Sequence, residues 1–184
     1  MRRRQYDGEA GFTLVELLVA IVILGIIAVP LGASAFLGLR TADETSNRFA
    51  SSNDAQLLSI WLPPDVQSAG NQSGDVVTSG NTECSGVTNV LRLRWRETQG
   101  TTNTYVAAYA VSLNANTGSY QLKRYFCVNS GASTTHVVAR NLASATAATA
   151  TVATTKVSVT VTSKGTATSP SGYIYSVSGY RRTP

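Results

Sequence analysis

The chain opens with a polar, arginine-bearing segment, Met1 to Gly11, and then turns almost wholly apolar from Phe12 to Val29, with Thr13 and Glu16 as the polar exceptions. After Pro30 the apolar run resumes from Leu31 to Leu39, with Ser34 inside it. At a helical rise of about 1.5 Å per residue this stretch reaches about 40 Å, more than the ~30 Å hydrocarbon core of a bilayer. The arginines before the run and the polar chain after it place the N-terminus on the cytoplasmic side. Arg40 to Leu62 contains neither Gly nor Pro, and Phe49, Leu57, Ile60 and Trp61 share a face at helical spacing. Pro63-Pro64 is expected to end or sharply bend this helix, because proline lacks the amide donor and restricts the residue before it. Asp65 to Gly70 is then a further short turn, and Asn71 to Asn89, rich in Gly, Ser and Asn, a long loop.

Strand patterns follow. In Val90 to Arg96, Leu91, Leu93 and Trp95 alternate with Arg92, Arg94 and Arg96, which gives one apolar and one cationic face. Thr104 to Leu113 and Ser119 to Val128 read as strands joined by a hairpin loop, Asn114 to Gly118. Lys156 to Ser163 alternates valine with Ser and Thr, and Tyr173 to Tyr180 is the final strand. The Ala/Thr tract from Leu142 to Thr155 fits either an irregular edge strand or a mobile loop. One long helix followed by strands predicts an α+β fold, with an antiparallel β-sheet packed on the second half of the helix.

Of the 184 residues 14% are charged, low for a globular protein, and Ser, Thr, Asn and Gly fill the difference, as suits a head outside the cytoplasm. Three of the positive charges behind the net +5 are Arg2, Arg3 and Arg4, so the balance says little about the folded part. Cys84 and Cys127 are an even pair in an exported chain, which favours a disulfide between them. Two cysteines with the single histidine, His136, offer no zinc site of the usual four ligands, and no metal or cofactor is expected. With no phosphate-binding glycine loop and no nucleophile elbow, the chain does not read as an enzyme.

Glu16 is the position that needs an explanation. A carboxylate one turn into a membrane helix costs several kcal/mol by insertion scales and is a functional residue by default. Were the chain cut after Gly11, Phe12 would carry a new α-amino group on the helix face of Glu16, four residues away, and could neutralise it in the same chain or in a neighbour. Pairing with a neighbour would turn a buried charge into an assembly register.

The short basic leader ending in Gly11, the block Phe12-Thr13-Leu14-Val15-Glu16 and the apolar helix together resemble the N-terminus of type IV pilins and type II secretion pseudopilins. The resemblance covers residues 1–40. It implies a leader of residues 1–11, removed by a prepilin peptidase between Gly11 and Phe12, and N-methylation of Phe12. It further implies Glu16 as the assembly glutamate, residues 12–39 as the membrane and assembly half of the helix, 40–62 as its extracytoplasmic half, and 63–184 as a β-rich head. The partners it implies are other pilin or pseudopilin subunits and the assembly platform in the membrane. The location is a single-pass plasma membrane protein that becomes part of an extracytoplasmic filament. The large, irregular and weakly patterned head favours a minor role; separately, Asp65 to Gly70 resembles a segment of minor pilins and minor pseudopilins.

Two rival readings share the same residues. The basic start, the apolar stretch and Ala33-Ser34-Ala35 also fit an ordinary signal peptide, whose removal would free a secreted β-rich binding domain starting at Phe36, but Glu16 and the length of the apolar segment oppose it. Arg92, Arg94 and Arg96, with Arg181 and Arg182, could contact DNA phosphates as in a competence pilin; a solvated face paired with scattered acids is the plainer reading of the same row.

Overall fold

A computed structural model describes residues 12–165 and 170–182. The chain divides into two compact units, residues 1–42 and 43–184. The first holds the apolar part of helix α1, whose bounds are Leu14–Ser68; its large side chains, Phe12 through Leu39, are between 48% and 88% exposed. This helix is long and apolar enough to cross a membrane, a test that a signal sequence also passes. It runs through Pro30 unbroken, and the Ser34 hydroxyl donates to the Pro30 carbonyl at 2.8 Å.

Among the described residues the second unit contains the remainder of α1 and eight strands in two antiparallel sheets. A five-stranded meander runs β1 (Val76–Val77), β2 (Asn89–Gln99), β3 (Thr101–Asn114), β4 (Ser119–Val128) and β5 (Thr134–Leu142). A three-stranded meander runs β6 (Ala148–Val152), β7 (Lys156–Thr162) and β8 (Ile174–Tyr180). The sequence predicts a single sheet and leaves the Ala/Thr tract open. In the structure the tract supplies β6, paired to β7 from Ala148 opposite Val161 to Val152 opposite Val157. An isolated bridge from Leu142 to Ser163 links the two sheets. The core lies where Leu91, Leu93, Tyr109, Leu122 and Val138 of the larger sheet meet Val157, Val159 and Val161 of the smaller and the helix residues Leu58, Leu62 and Val66.

Of the two outcomes the sequence allows at Pro63-Pro64, an end or a sharp bend, the helix does not end there but at Ser68. A proline inside a helix costs about 3 kcal/mol through its missing donor and its ring clash. Here tertiary packing overrides that cost. Leu58, Leu62, Val66 and Ala69 recur on one face and are all buried, each large side chain contributing about 1.5–3 kcal/mol. Strand β8 approaches the prolines so closely that a side chain at Gly179 would sit 2.8 Å from the Val66 Cβ and 3.0 Å from the Pro63 Cα.

The same helix turn carries a buried ion pair into the core. Asp65 receives the Arg124 Nε and Nη2 from β4, each at 2.7 Å, and the Tyr109 hydroxyl from β3 at 2.6 Å. Arg124 in turn lies over the Trp61 ring at 4.6 Å. Burial above all, and then the Asp65 carboxylate, push the Tyr109 hydroxyl well above its ordinary pKa, so it stays a donor. Removing one partner of such a pair leaves an uncompensated buried charge, typically costing about 3–5 kcal/mol, whereas removing both can be neutral. Arg124→Met is therefore expected to lower the urea midpoint of the full chain in detergent by an equivalent of about 3–5 kcal/mol, and Asp65→Asn in the same chain to recover much of it. Equal stability of Arg124→Met and the wild type would show that the pair does not hold the helix to the sheet.

Candidate functional site: the capped helix start and the strapped arginine row

Two of the residues singled out in the sequence, Phe12 and Glu16, lie at the start of the helix. Gly11 lies outside the described residues, and Phe12 is 88% exposed. Glu16 has a partner that the sequence reading does not name. Its Oε2 accepts from the Thr13 backbone N–H at 3.0 Å and from the Thr13 hydroxyl at 2.9 Å, while the Glu16 N–H donates to the Thr13 Oγ1 at 3.3 Å. This is the reciprocal capping box, in which residues three apart satisfy each other's orphan amides at the first turn. The spacing Thr13-Leu14-Val15-Glu16 carries the signal for this cap. A helix cap accounts for the local geometry of Glu16.

The cysteines and the arginine row meet in a second place. Cys84 and Cys127 are bonded, with Cα atoms 5.9 Å apart, and tie the segment between α1 and β2 to strand β4. That segment lies as a strap on β2. Gly70 N–H donates to the Arg94 carbonyl and Arg94 N–H to the Asp75 carbonyl, both at 2.8 Å, and the two-residue strand β1 pairs with Arg92 and Leu93. Glu83, next to Cys84, accepts from Arg92 and, at 2.6 Å, from Arg94. Arg92 also donates to the Gly74 carbonyl, and Asp75 stands 3.4 Å from Arg96.

The three arginines thus share one face of β2 as their spacing predicts, and that face is exposed at Arg96 but covered at Arg92. Arg92 is 4% exposed, because the strap covers it. Burial pushes the Glu83 carboxyl up, while the bonds from Arg92 and Arg94 outweigh it and hold the net value below the usual carboxylate range. Elsewhere His136, the one histidine, stacks on Trp61 with centroids 5.0 Å apart. Among the described residues no group of three His, Cys, Asp or Glu is placed to hold a metal ion.

A third feature was not foreseen. Asp54 on α1 is buried, and its Oδ2 accepts the Arg140 backbone N–H of β5 at 2.7 Å. It tethers a sheet edge to the helix. Burial pushes its carboxyl above the ordinary value despite that bond, and the Tyr175 hydroxyl, through its own burial first and Asp54 second, is raised as well.

With this geometry in view, the chain falls in the class of proteins with an apolar N-terminal helix carrying an antiparallel β head. Residues 7–32 match the family model described as the prokaryotic N-terminal methylation motif, the prepilin-type segment, and this supports the type IV pilin and pseudopilin family for the chain. No curated protein and no solved structure matches it.

The two perturbed carboxyls act in opposite directions with pH. The Glu83 value is depressed in the fold, so its contribution is complete above the unfolded value near 4.5 and is lost as pH falls through the lower folded value. The Asp54 value is raised, so ionising it in the fold carries a cost that is absent below 3.8 and develops as pH rises through the folded value. Asp54→Asn, which keeps an oxygen for the Arg140 N–H, is expected to raise the urea midpoint at pH 7 by more than at pH 4. Glu83→Gln is expected to lower it at pH 7, with the difference shrinking below pH 4.5. A pH-independent effect of either substitution would remove the linkage assigned to it.

Proposed function

We propose that the protein is a subunit, in a minor role, of a type IV pilus or secretion pseudopilus. In this reading a prepilin peptidase cuts between Gly11 and Phe12 and methylates Phe12, and the mature chain is assembled through its helix. The observation that carries the reading is the coincidence of the methylation motif with an unpartnered apolar helix ahead of a β head. Lateral burial of that helix among other subunits drives assembly. The Glu16 carboxylate selects the axial offset by meeting the Phe12 amine of a neighbour. The filament is extracytoplasmic, anchored before assembly by a single pass through the plasma membrane, and the protein's work is structural rather than catalytic.

The capping box sharpens the test of Glu16. Glutamine serves at the same helix position in a capping box, so Glu16→Gln keeps the cap and removes the charge. Glu16→Ala removes both. DNA binding as a competence pilin remains the second reading, but the pairing of Arg92, Arg94 and Arg96 with Glu83 and Asp75 favours a structural role for that row.

Expressed with a prepilin peptidase, the chain is expected to yield a mature N-terminus at Phe12 with one added methyl group by mass spectrometry; a start at Phe36 would replace this reading with a secreted domain. In a host that forms the filament, Glu16→Gln and Glu16→Ala are both expected to insert in the membrane and to be found in sheared filaments at about a tenth of the wild-type level or less, the equivalent of about 1.4 kcal/mol per subunit contact. Normal incorporation of Glu16→Gln with loss of Glu16→Ala would assign Glu16 to capping alone.

A further inference from the structure

At the C-terminal end of α1 three segments distant in sequence converge. The helix ends at Ser68, the second half of β2 brings Trp95, Arg96 and Glu97, and the chain after β8 brings Arg182. They enclose a groove of about 390 Å³, to which Gln67 and Asn71 add their amides. That volume lies within the range of small-molecule sites, about 300–1,000 Å³.

The groove is a built feature. Gly70, at its floor, approaches β2 so closely that a side chain there would lie 2.2 Å from the Asp75 carboxylate. Arg181 donates from its Nη2 to the Gly70 carbonyl and, at 3.3 Å, to the Asn71 Oδ1, which fixes the tail and so the position of Arg182. The Arg96 Nη1 is held by the Gln72 Oε1 at 3.0 Å and by Asp75 at 3.4 Å. Trp95 is backed by Tyr105, centroids 5.7 Å apart at 14°, and by Phe126 at 6.0 Å. Trp95, half-buried and held in this way, is the one aromatic residue among those lining the groove.

We propose that this groove is a binding site for an acidic saccharide, with the sugar ring against Trp95 and its carboxylate on Arg182. An aromatic wall takes the apolar face of a pyranose. The amides of Gln67 and Asn71 and the carboxylate of Glu97 supply the donors and acceptors that vicinal hydroxyls need. Guanidinium groups are the residue type best matched to a carboxylate. Of the charged residues lining the groove two are arginines, at 96 and 182, and one is an acid, Glu97, which leaves a positive excess for an anionic ligand. A nucleic-acid strand fits less well, because Glu97 lines the groove and would face its phosphates.

The test uses the full chain in detergent micelles and isothermal titration with trigalacturonate and sialyllactose, against neutral cellotriose and a single-stranded oligothymidylate. At least one acidic sugar is expected to bind at least about tenfold tighter than cellotriose, the effect of one charge-assisted contact. Arg182→Gln, at an exposed position, is expected to weaken that binding about tenfold while leaving the melting temperature unchanged, and Trp95→Phe to weaken it less. No binding of either acidic sugar at millimolar concentration, equal binding of cellotriose, or indifference to Arg182→Gln would overturn the proposal. Tighter binding of oligothymidylate, lost in Arg182→Gln, would also overturn it and assign the groove to nucleic acid.

Discussion

The buried pair of Asp65 and Arg124, with Tyr109 as third member, fixes the head unit. It joins the last turns of the helix to the two central strands of the larger sheet in one bidentate contact. Apolar burial alone supplies the stability but tolerates small slides and rotations of a helix on a sheet. A planar guanidinium on a carboxylate does not, and the use of buried ion pairs to specify one arrangement is better attested than any net gain in stability. The same pair bears on the prolines. Asp65 stands directly after Pro63-Pro64, so a helix that broke there would leave Arg124 without its anion. Continuation through the prolines and the siting of the pair are one constraint seen from two sides.

The strap obeys a related logic on the opposite face of β2. A row of three arginines on one strand repels itself, and the chain answers with a loop that brings Glu83 and Asp75 back over the row. A loop poor in apolar residues has little to hold it down. The disulfide from Cys84 supplies that hold next to Glu83, and in the chain-entropy model the 43-residue separation corresponds to about 4 kcal/mol of restraint on the unfolded chain.

Much of this was legible in the sequence because it rests on period. The alternation of Leu91, Leu93 and Trp95 with arginine gave β2, the valines at 157, 159 and 161 gave β7, and the strand from Ser119 to Val128 has the bounds expected of it. The unread parts depend on contacts between distant segments. The helix passes the prolines because of Val66, Asp65 and Gly179, which no local rule weighs together. Strand β5 was not identified, since Thr134 to Leu142 has no clean alternation and is held partly by Asp54 from the helix. At the helix start Thr13 and Glu16, three apart, carry the signature of the cap that the structure shows. The covering of Arg92 could not be read, because charge spacing says which face a residue takes and not what lies across it.

Trp61 sits between two cationic or ionisable groups. Arg124 lies over its ring at 4.6 Å and His136 stacks on it at 5.0 Å, while Trp95, the only other tryptophan of the chain, is stacked on Tyr105. Arg124 reaches Trp61 while bound to Asp65, so the indole shares its environment with the contact that seats the helix. Its emission is thus a built-in optical gauge of helix seating, readable without a label, and distinct in origin from the signal of Trp95 at the groove.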